Sequence, residues 1–255
     1  MILTVDIGNT NVTIGGYDND TLAFTARMAT ERSFTSDQYA VAVDALLRLK
    51  GVDPKQITGA AVSSVVPSVA TAFSDALAAL FGIRPICIGP GIKTGLNIRI
   101  DNPAQLGADL VAGCVGALAK YPMPCIVFDL GTATTAAVLD RNGCMIGGAI
   151  AAGLSTTRNA LSSQTAQLPL VDLEAPDAVI GANTIDCIKS GLIFGAAAML
   201  DGMAERIEEQ LGEPATIVAT GGLSERVVAH CKRKILLDEN LLLDGLLLIY
   251  KRNLR

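Results

Sequence analysis

An acidic turn occurs twice in this chain of 255 residues, each time directly after a short apolar run. The first copy reads Asp6-Ile7-Gly8-Asn9-Thr10-Asn11, and the second reads Asp129-Leu130-Gly131-Thr132-Ala133-Thr134. Each copy lies between two runs rich in β-branched or small apolar residues, which is typical of a strand, a turn and a second strand. The two aspartates are 123 residues apart, about the length of one domain. The repeat therefore predicts a duplicated α/β module, with two lobes and a central cleft.

Composition restricts the classes of protein to which the chain can belong. Half of the residues are hydrophobic but only 4% are aromatic, so the apolar mass is Ala, Val, Ile and Leu. That balance suits buried parallel strands covered by helices. The formal net charge of −5 argues against a general nucleic-acid interface, which needs a basic surface. We therefore expect small-molecule partners and no nucleic acid.

Hydrophobic spacing predicts further elements between and after the two turns. Residues 216–222 have the pattern of a strand that enters a glycine turn. The two modules are expected to span residues 1–118 and 119–255. Helices are expected over residues 37–50, 69–80, 103–120 and 184–210, and a buried strand over residues 57–66.

Several other kinds of site are disfavoured by the sequence. The six cysteines are widely spaced and form no CxxC pair, so we expect buried thiols in a reducing compartment. Any histidine-dependent triad would rest on His230, the single histidine. The apolar stretch 56–74 contains Gly59 and Pro67, unlike a membrane-spanning helix of about 20 apolar residues. The chain begins with a strand pattern and lacks the features of a signal sequence, so we expect a cytoplasmic protein without a membrane segment.

The two acidic turns contain the residue types that bind nucleotide phosphates. Gly8 and Gly131 allow a ligand to approach, while backbone N–H groups and short polar side chains can surround phosphate oxygens. Asp6 repels phosphate by itself, and its useful role is to hold hydrated Mg²⁺. An ordinary Asx hairpin turn has the same composition, so one copy alone is ambiguous. The second copy favours a nucleotide clamp, in which residues 218–222 form a floor for adenosine.

Asp109 is the remaining carboxylate of interest, because it lies between Gly107-Ala108 and an apolar helical stretch. As a general base it would accept the proton of an acceptor hydroxyl. As a structural residue it would stabilise the N-terminus of its helix. The residues by themselves leave both roles open.

In the order of these features the chain resembles the type III pantothenate kinases, which are bacterial members of the acetate and sugar kinase, heat-shock and actin superfamily. The resemblance covers essentially the whole chain. It implies an α/β fold of two ribonuclease H-like (actin-like ATPase) modules with a central nucleotide cleft. It also implies ATP-dependent phosphorylation of pantothenate to 4'-phosphopantothenate, the first step of coenzyme A biosynthesis. Besides the two acidic turns and Gly107-Ala108-Asp109, the matching motifs are Thr94-Gly95-Leu96, Pro103, Gly147-Gly148-Ala149-Ile150, Thr165-Ala166-Gln167-Leu168-Pro169, Ile180-Gly181-Ala182-Asn183-Thr184, Ser190-Gly191, Thr220-Gly221-Gly222-Leu223 and Asp244-Gly245-Leu246.

The resemblance further implies roles for particular residues. Asp109 would be the general base, Asp129 would bind a monovalent cation (K⁺ or NH₄⁺), and Asp6 would hold Mg²⁺ directly or through water. The family is dimeric, with the acceptor site completed at the subunit interface, so we expect a homodimer with an apolar surface. The ATP phosphates would contact Asp6, Ile7, Gly8, Asn9, Thr10, Asn11, Val12, Thr13, Gly131 and Thr132. The acceptor would contact Ile100, Gly107, Ala108, Asp109, Leu110 and Thr184.

Two positions depart from the family pattern where the acceptor is expected. The motif Gly-Ala-Asp-Arg appears as Gly107-Ala108-Asp109-Leu110, and Ile100 stands where a substrate-contacting tyrosine is expected. An arginine suits the carboxylate of pantothenate, whereas leucine supplies no such hydrogen bonds. Arg99 and Arg158 are the candidate replacement cations, although Arg99 would point away from Ile100 in an extended segment. The alternatives are a kinase with a different, less anionic alcohol acceptor and a catalytically idle nucleotide-binding paralogue that acts by regulation.

Overall fold

The chain folds into two compact units, each with its own mixed sheet and hydrophobic core. The computed structural model describes residues 1–254. The sequence suggested a single division after residue 118, but the C-terminal helix belongs to the first unit because its apolar residues pack on the first sheet. The first unit comprises residues 1–96, 101–119 and those from 241 onward, and the second comprises residues 97–100 and 120–240.

The first unit contains five strands and four helices. Its elements are β1 (Ile2–Ile7), β2 (Asn11–Asp18), β3 (Thr21–Ala29), α1 (Ser36–Leu49), β4 (Gly59–Ser64), α2 (Pro67–Phe81), β5 (Ile86–Cys87), α3 (Ala108–Lys120) and α7 (Leu241–Asn253). The strands form a sheet in the order β3-β2-β1-β4-β5. β1 is antiparallel to β2 and parallel to β4, so the central strand is paired on both sides.

The second unit has six strands and three helices. Its elements are β6 (Asn97–Ile98), β7 (Cys125–Leu130), β8 (Ala133–Leu139), β9 (Cys144–Ala152), α4 (Leu154–Gln164), α5 (Thr184–Leu211), β10 (Thr216–Thr220), α6 (Ser224–Val228) and β11 (Leu236–Leu237). The strands form a sheet in the order β11-β10-β7-β8-β9-β6. β7 is antiparallel to β8 and parallel to β10.

The two sheets repeat one topology. Each strand of the first sheet has a counterpart in the second: β1 corresponds to β7, β2 to β8, β3 to β9, β4 to β10 and β5 to β11. The counterparts lie in the same spatial order, and the second sheet has β6 as an additional strand at one edge. The directions of the pairs also match, since both central strands are antiparallel to the next strand and parallel to the later one. The duplication predicted from the two acidic turns is therefore confirmed.

Local sequence accounts for the ends of the main helices. Thr35 and Gln38 form a capping box before α1, and Pro67 is the first residue of α2. Gly82 ends α2 in the left-handed conformation, with φ of 67°. The helix predicted over residues 103–120 is shorter than expected, because a 3₁₀ turn over Pro103–Gln105 precedes α3.

Helix α5 is the one helix among residues 1–254 that is long and apolar enough, by length and composition, to cross a membrane. A core helix of a soluble protein passes the same test. One face of α5 packs into the core of the second unit, through Ile188, Leu192, Ile193, Ala197, Leu200 and Ala204. We therefore interpret α5 as a core helix.

Candidate functional site

The first acidic turn joins β1 to β2 and is supported by the residue that follows β3. The Gly8 N–H donates to the Asn11 carbonyl at 2.9 Å, which closes the turn. Thr30 donates its hydroxyl to the Gly8 carbonyl at 2.7 Å and its N–H to the Thr10 carbonyl at 2.9 Å. Asn9 and Thr10 are exposed at the tip. The hydrogen bonds from Thr30 therefore stabilise the turn, while its exposed tip is accessible to a ligand.

The second acidic turn joins β7 to β8 and is supported by the start of α4. The Gly131 N–H donates to the Ala133 carbonyl at 3.0 Å. The Thr132 carbonyl accepts from the Gly153 N–H at 3.1 Å and from the Thr156 hydroxyl at 2.7 Å. A Cβ on Gly153 would collide with the Gly131 carbonyl, so this contact requires a glycine. Gly131 and Thr132 are exposed, as a ligand-binding tip requires.

Asp6 lies in a row of polar side chains across the first sheet. It is paired with Thr13 on β2 and with Ser63 on β4. Paired residues on neighbouring strands share one face of a sheet, so the carboxylate lies between two hydroxyls. The alternate residues of β1, Val5 and Ile7, face the first hydrophobic core.

Asp129 lies in the equivalent row of the second sheet. It is paired with Thr135 on β8 and with Thr220 on β10. The neighbouring residues Phe128 and Leu130 point to the opposite face, where they belong to the second core. Both units therefore present a hydroxyl, a carboxylate and a hydroxyl in the same order at the ends of their central strands.

Gly221 brings the glycine turn after β10 against this second row. Its φ is +94°, and a Cβ there would lie 2.5 Å from Asp129 Oδ1 and 2.8 Å from the Leu130 nitrogen. The sequence predicted that this turn belongs to a floor for adenosine. In the structure, Gly221 packs directly against the carboxylate of Asp129.

Asp109 is in the first turn of α3 and is half-buried. Its Oδ1 accepts from the Leu110 N–H at 2.8 Å, while the Val111 N–H donates to the Gly107 carbonyl at 3.1 Å. A Cβ on Gly107 would overlap Asp109 Oδ1. Gly107 therefore leaves the space that this carboxylate occupies, and the contact with the Leu110 N–H is compatible with either role considered for Asp109.

The residues expected around the acceptor are divided between the two units. Gly107-Ala108-Asp109-Leu110 belongs to the first unit, whereas Ile100 and Thr184 belong to the second. Ile100 is half-buried and Arg99 is exposed, which agrees with side chains on opposite faces of an extended segment. Arg158 donates from Nε and Nη2 to Asn159 Oδ1, at 3.2 Å in each case.

Sequence reasoning missed four residues that support the two polar rows and turns. Thr30, Gly153 and Thr156 hold the turns, and Ser63 adjoins Asp6. Only Gly153 had a local signal, because a glycine after a strand often marks a close approach of two backbones. The others are common residue types whose positions depend on pairing with distant segments.

The oxygen atoms of the polar rows determine which cations the protein can hold. Across residues 1–254 no group of three or more His, Cys, Asp or Glu side chains is placed to hold a metal ion. Nucleotide-bound Mg²⁺ needs only one or two carboxylates, because waters and phosphate oxygens complete its shell. A row with one carboxylate and two hydroxyls, such as that of Asp6, supplies oxygen atoms of the right chemistry. The residues therefore fit a cation that arrives with a nucleotide.

Comparison with solved structures identifies the fold. Component A of the (R)-2-hydroxyglutaryl-CoA dehydratase of Acidaminococcus fermentans has a TM-score of 0.58 and 14% identity, covering 100% of this chain and 99% of that chain. The inorganic polyphosphate/ATP-glucomannokinase of an Arthrobacter species has a TM-score of 0.53 and 15% identity, covering 99% and 98%. These similarities show the actin-like ATPase fold, as the sequence predicted.

Sequence comparison identifies the family. The profile of the type III pantothenate kinases matches residues 2–206. The type III pantothenate kinase of Exiguobacterium sibiricum is 42% identical over 253 residues, which cover 99% of this chain and 100% of that protein. The similarity includes both acidic turns and the segment around Asp109. The chain belongs to the type III pantothenate kinase family.

Proposed function

We propose that this protein is an ATP-dependent kinase that phosphorylates pantothenate to 4'-phosphopantothenate, the first step of coenzyme A biosynthesis. The observation that carries the proposal is the full-length similarity to type III pantothenate kinases, together with the two supported acidic turns. The alternatives of a changed acceptor and of an idle regulatory paralogue gain no support from the comparisons.

The proposed phosphate site uses the tips of both turns. Backbone N–H groups and side chains of residues 6–13, and those of Gly131 and Thr132, would each contact phosphate oxygens. Bound Mg²⁺, held by Asp6 directly or through water, would neutralise phosphate charge. Asp129 would hold the monovalent cation, K⁺ or NH₄⁺, beside the glycine turn that packs against its carboxylate.

The proposed chemistry depends on Asp109 as general base. The oxygen of the primary hydroxyl of pantothenate attacks the γ-phosphorus in line, while a carboxylate oxygen of Asp109 accepts the hydroxyl proton. The new O–P bond forms while the bond between the γ-phosphorus and the β,γ-bridging oxygen breaks, so ADP leaves with the electron pair. Gly107 supports this role, because its missing side chain leaves room for the carboxylate.

The acceptor is proposed to contact Ile100, Gly107, Ala108, Leu110 and Thr184. Arginine is absent from position 110, so the carboxylate of pantothenate must find another donor. Backbone N–H groups at the start of α3 are suitable donors, because a helix N-terminus favours an anion. Affinity for pantothenate is therefore expected to be modest.

A homodimer is proposed to complete the acceptor site. Val179, Ile180 and Ile185 flank Thr184 in the chain and are exposed, Ile180 by 89%. Exposed apolar side chains grouped along one segment are typical of a surface that binds a partner. We expect a cytoplasmic dimer, in which a second copy covers these side chains. Light scattering of the native protein and of an Ile180→Asp variant tests this proposal, and a native monomer contradicts it.

One assay tests the function directly. Purified protein is incubated with ATP, Mg²⁺ and K⁺, and ADP release is followed with pantothenate, with pantetheine and without an acceptor. The proposal requires turnover with pantothenate and the appearance of 4'-phosphopantothenate. Nucleotide binding without phosphorylation of either alcohol would contradict it, and turnover restricted to pantetheine would assign a different acceptor.

A further inference from the structure

Three hydroxyls within residues 1–254 are buried without a hydrogen-bond partner, namely those of Ser63, Thr134 and Thr135. A buried hydroxyl without a partner destabilises the folded state, so each one calls for an explanation. Two explanations are available. A structural water can satisfy the group permanently, or a ligand can satisfy it when bound.

Ser63 is the most deeply buried of the three, with a relative exposure of 0%. It lies near the end of β4 and is paired with Asp6 on β1. Its neighbour Ser64 differs, because the Ser64 hydroxyl exchanges hydrogen bonds with the backbone of Val66 at 3.0 and 3.1 Å. The unsatisfied hydroxyl is thus the one that shares a face with the carboxylate of the first acidic turn.

Thr135 has the corresponding relationship to the second acidic turn. It is paired with Asp129 on β7. Thr134, the adjacent residue, is paired with Leu130 and therefore points to the opposite face, toward the second core. Two of the three unsatisfied hydroxyls consequently adjoin the two aspartates, one in each unit.

We propose that Ser63 and Thr135 are positioning residues of the phosphate site, whose hydroxyls bind waters of the cations held by Asp6 and Asp129. The inference rests on the proposed function for the presence of a nucleotide and its cations. A hydroxyl on the same face as the carboxylate can accept a hydrogen bond from a water bound to the cation. Each hydroxyl then fixes the hydration shell of its cation, which explains why it has no partner within the protein.

Nucleotide binding with and without cations tests the proposal. Isothermal titration measures the dissociation constant of a non-hydrolysable ATP analogue for the wild type, Ser63→Ala and Thr135→Val, first with Mg²⁺ and K⁺ and then with EDTA in a sodium buffer. With the cations present we expect about tenfold weaker binding for each variant, the size of one hydrogen bond to a charged group. Without them the variants and the wild type should bind alike.

A matched control separates this role from general loosening of the fold. Thr134→Val removes an equally buried hydroxyl from the other face and should leave both dissociation constants unchanged. Equal weakening of Ser63→Ala with and without cations would overturn the proposal, as would binding within twofold of the wild type. If Ser63→Ala fails to fold, Ser63→Cys and Thr135→Val decide the question.

The outcome is distinguishable from a failure of the proposed function. Turnover of pantothenate is measured with the wild type alone, and the binding experiment needs no acceptor. If the wild type does not phosphorylate pantothenate, but the variants bind nucleotide more weakly only when the cations are present, the proposed function is contradicted and the role of Ser63 and Thr135 is supported. If the wild type phosphorylates pantothenate and the variants bind nucleotide as the wild type does, the proposed function is supported and the role of Ser63 and Thr135 is contradicted.

Discussion

The Cα of Gly221 packs against the Asp129 carboxylate so closely that a Cβ there would lie 2.5 Å from Oδ1. Gly221 also has a φ of +94°, a conformation that residues with a side chain rarely adopt. Two independent constraints, backbone conformation and contact, thus require glycine at the point where the turn after β10 meets the second polar row.

Gly221→Ala is expected to weaken nucleotide binding and to lower the free energy of unfolding by about 2 kcal/mol or more, because backbone strain and displacement of Asp129 add together. Gly82→Ala is the matched control, since Gly82 also has positive φ but has nothing within 4 Å of its Cβ position. That variant should lose about 1 kcal/mol and bind nucleotide normally. Chemical denaturation measures the loss of stability, and calorimetric titration measures the loss of nucleotide affinity. Equal losses in the two variants would show that the contact between Gly221 and Asp129 has no effect of its own.

Asp109→Asn is expected to lower kcat by about 10² to 10⁴, because an amide cannot accept the hydroxyl proton. Affinity for the ATP analogue should change little. Asp101→Asn, in the exposed segment before α3, should behave like the wild type. A kcat within fivefold of the wild type would mean that Asp109 serves only to stabilise the start of α3.

Leu110→Arg combined with Ile100→Tyr is expected to lower the KM for pantothenate by about tenfold or more, since an arginine can form two charge-assisted hydrogen bonds to the carboxylate. The KM for pantetheine, which has no carboxylate, should not fall. Steady-state kinetics with both alcohols test the pair. An unchanged KM for pantothenate would show that these positions do not contact the acceptor carboxylate.

Thr134→Val is expected to raise the free energy of unfolding by about 1 kcal/mol, because it removes an unsatisfied hydroxyl that is only 4% exposed. The corresponding residue of the first unit is Val12, which is paired with Ile7 as Thr134 is with Leu130. Urea denaturation measures the change. A loss of stability would indicate that a buried water satisfies Thr134 in solution.

Alkaline pH should weaken a contact between Tyr121 and Asp238. Burial, followed by the hydrogen bond at 2.8 Å from the Tyr121 hydroxyl to Asp238 Oδ2, raises the pKa of Tyr121 to about 12. The ordinary pKa is about 10, so the folded protein holds this proton more tightly than the unfolded chain does. The stabilisation is complete below pH 10 and is lost as the pH rises through 12.

The difference in free energy of unfolding between the wild type and Tyr121→Phe isolates this effect, because the other tyrosines are common to both proteins. That difference should be constant up to about pH 9 and should shrink toward pH 12. Urea denaturation at a series of pH values measures it. A difference that stays constant through this range would show that Tyr121 titrates normally.

Much of the fold was predictable because its signals are local. Short β-rich runs on either side of Asp6 and Asp129 specify strands and turns from adjacent residues, and the helix over residues 184–210 was found within one residue of α5. The helix before residue 120 was predicted too long, since its apolar spacing continues through a 3₁₀ turn that begins at Pro103. The C-terminal helix was assigned to the wrong half, because only its packing on the first sheet reveals where it belongs.

By itself the sequence determined the duplicated strand-turn-strand units, the family and the candidate carboxylates Asp6, Asp109 and Asp129, because each depends on neighbouring residues or on motif order. Tertiary structure alone decided which side chains stand beside them. Parallel pairing of strands that are far apart in the chain places Ser63 beside Asp6, and it places Thr220 and the following Gly221 beside Asp129. Such a register is set by the packing of whole strands and helices, so no local pattern encodes it.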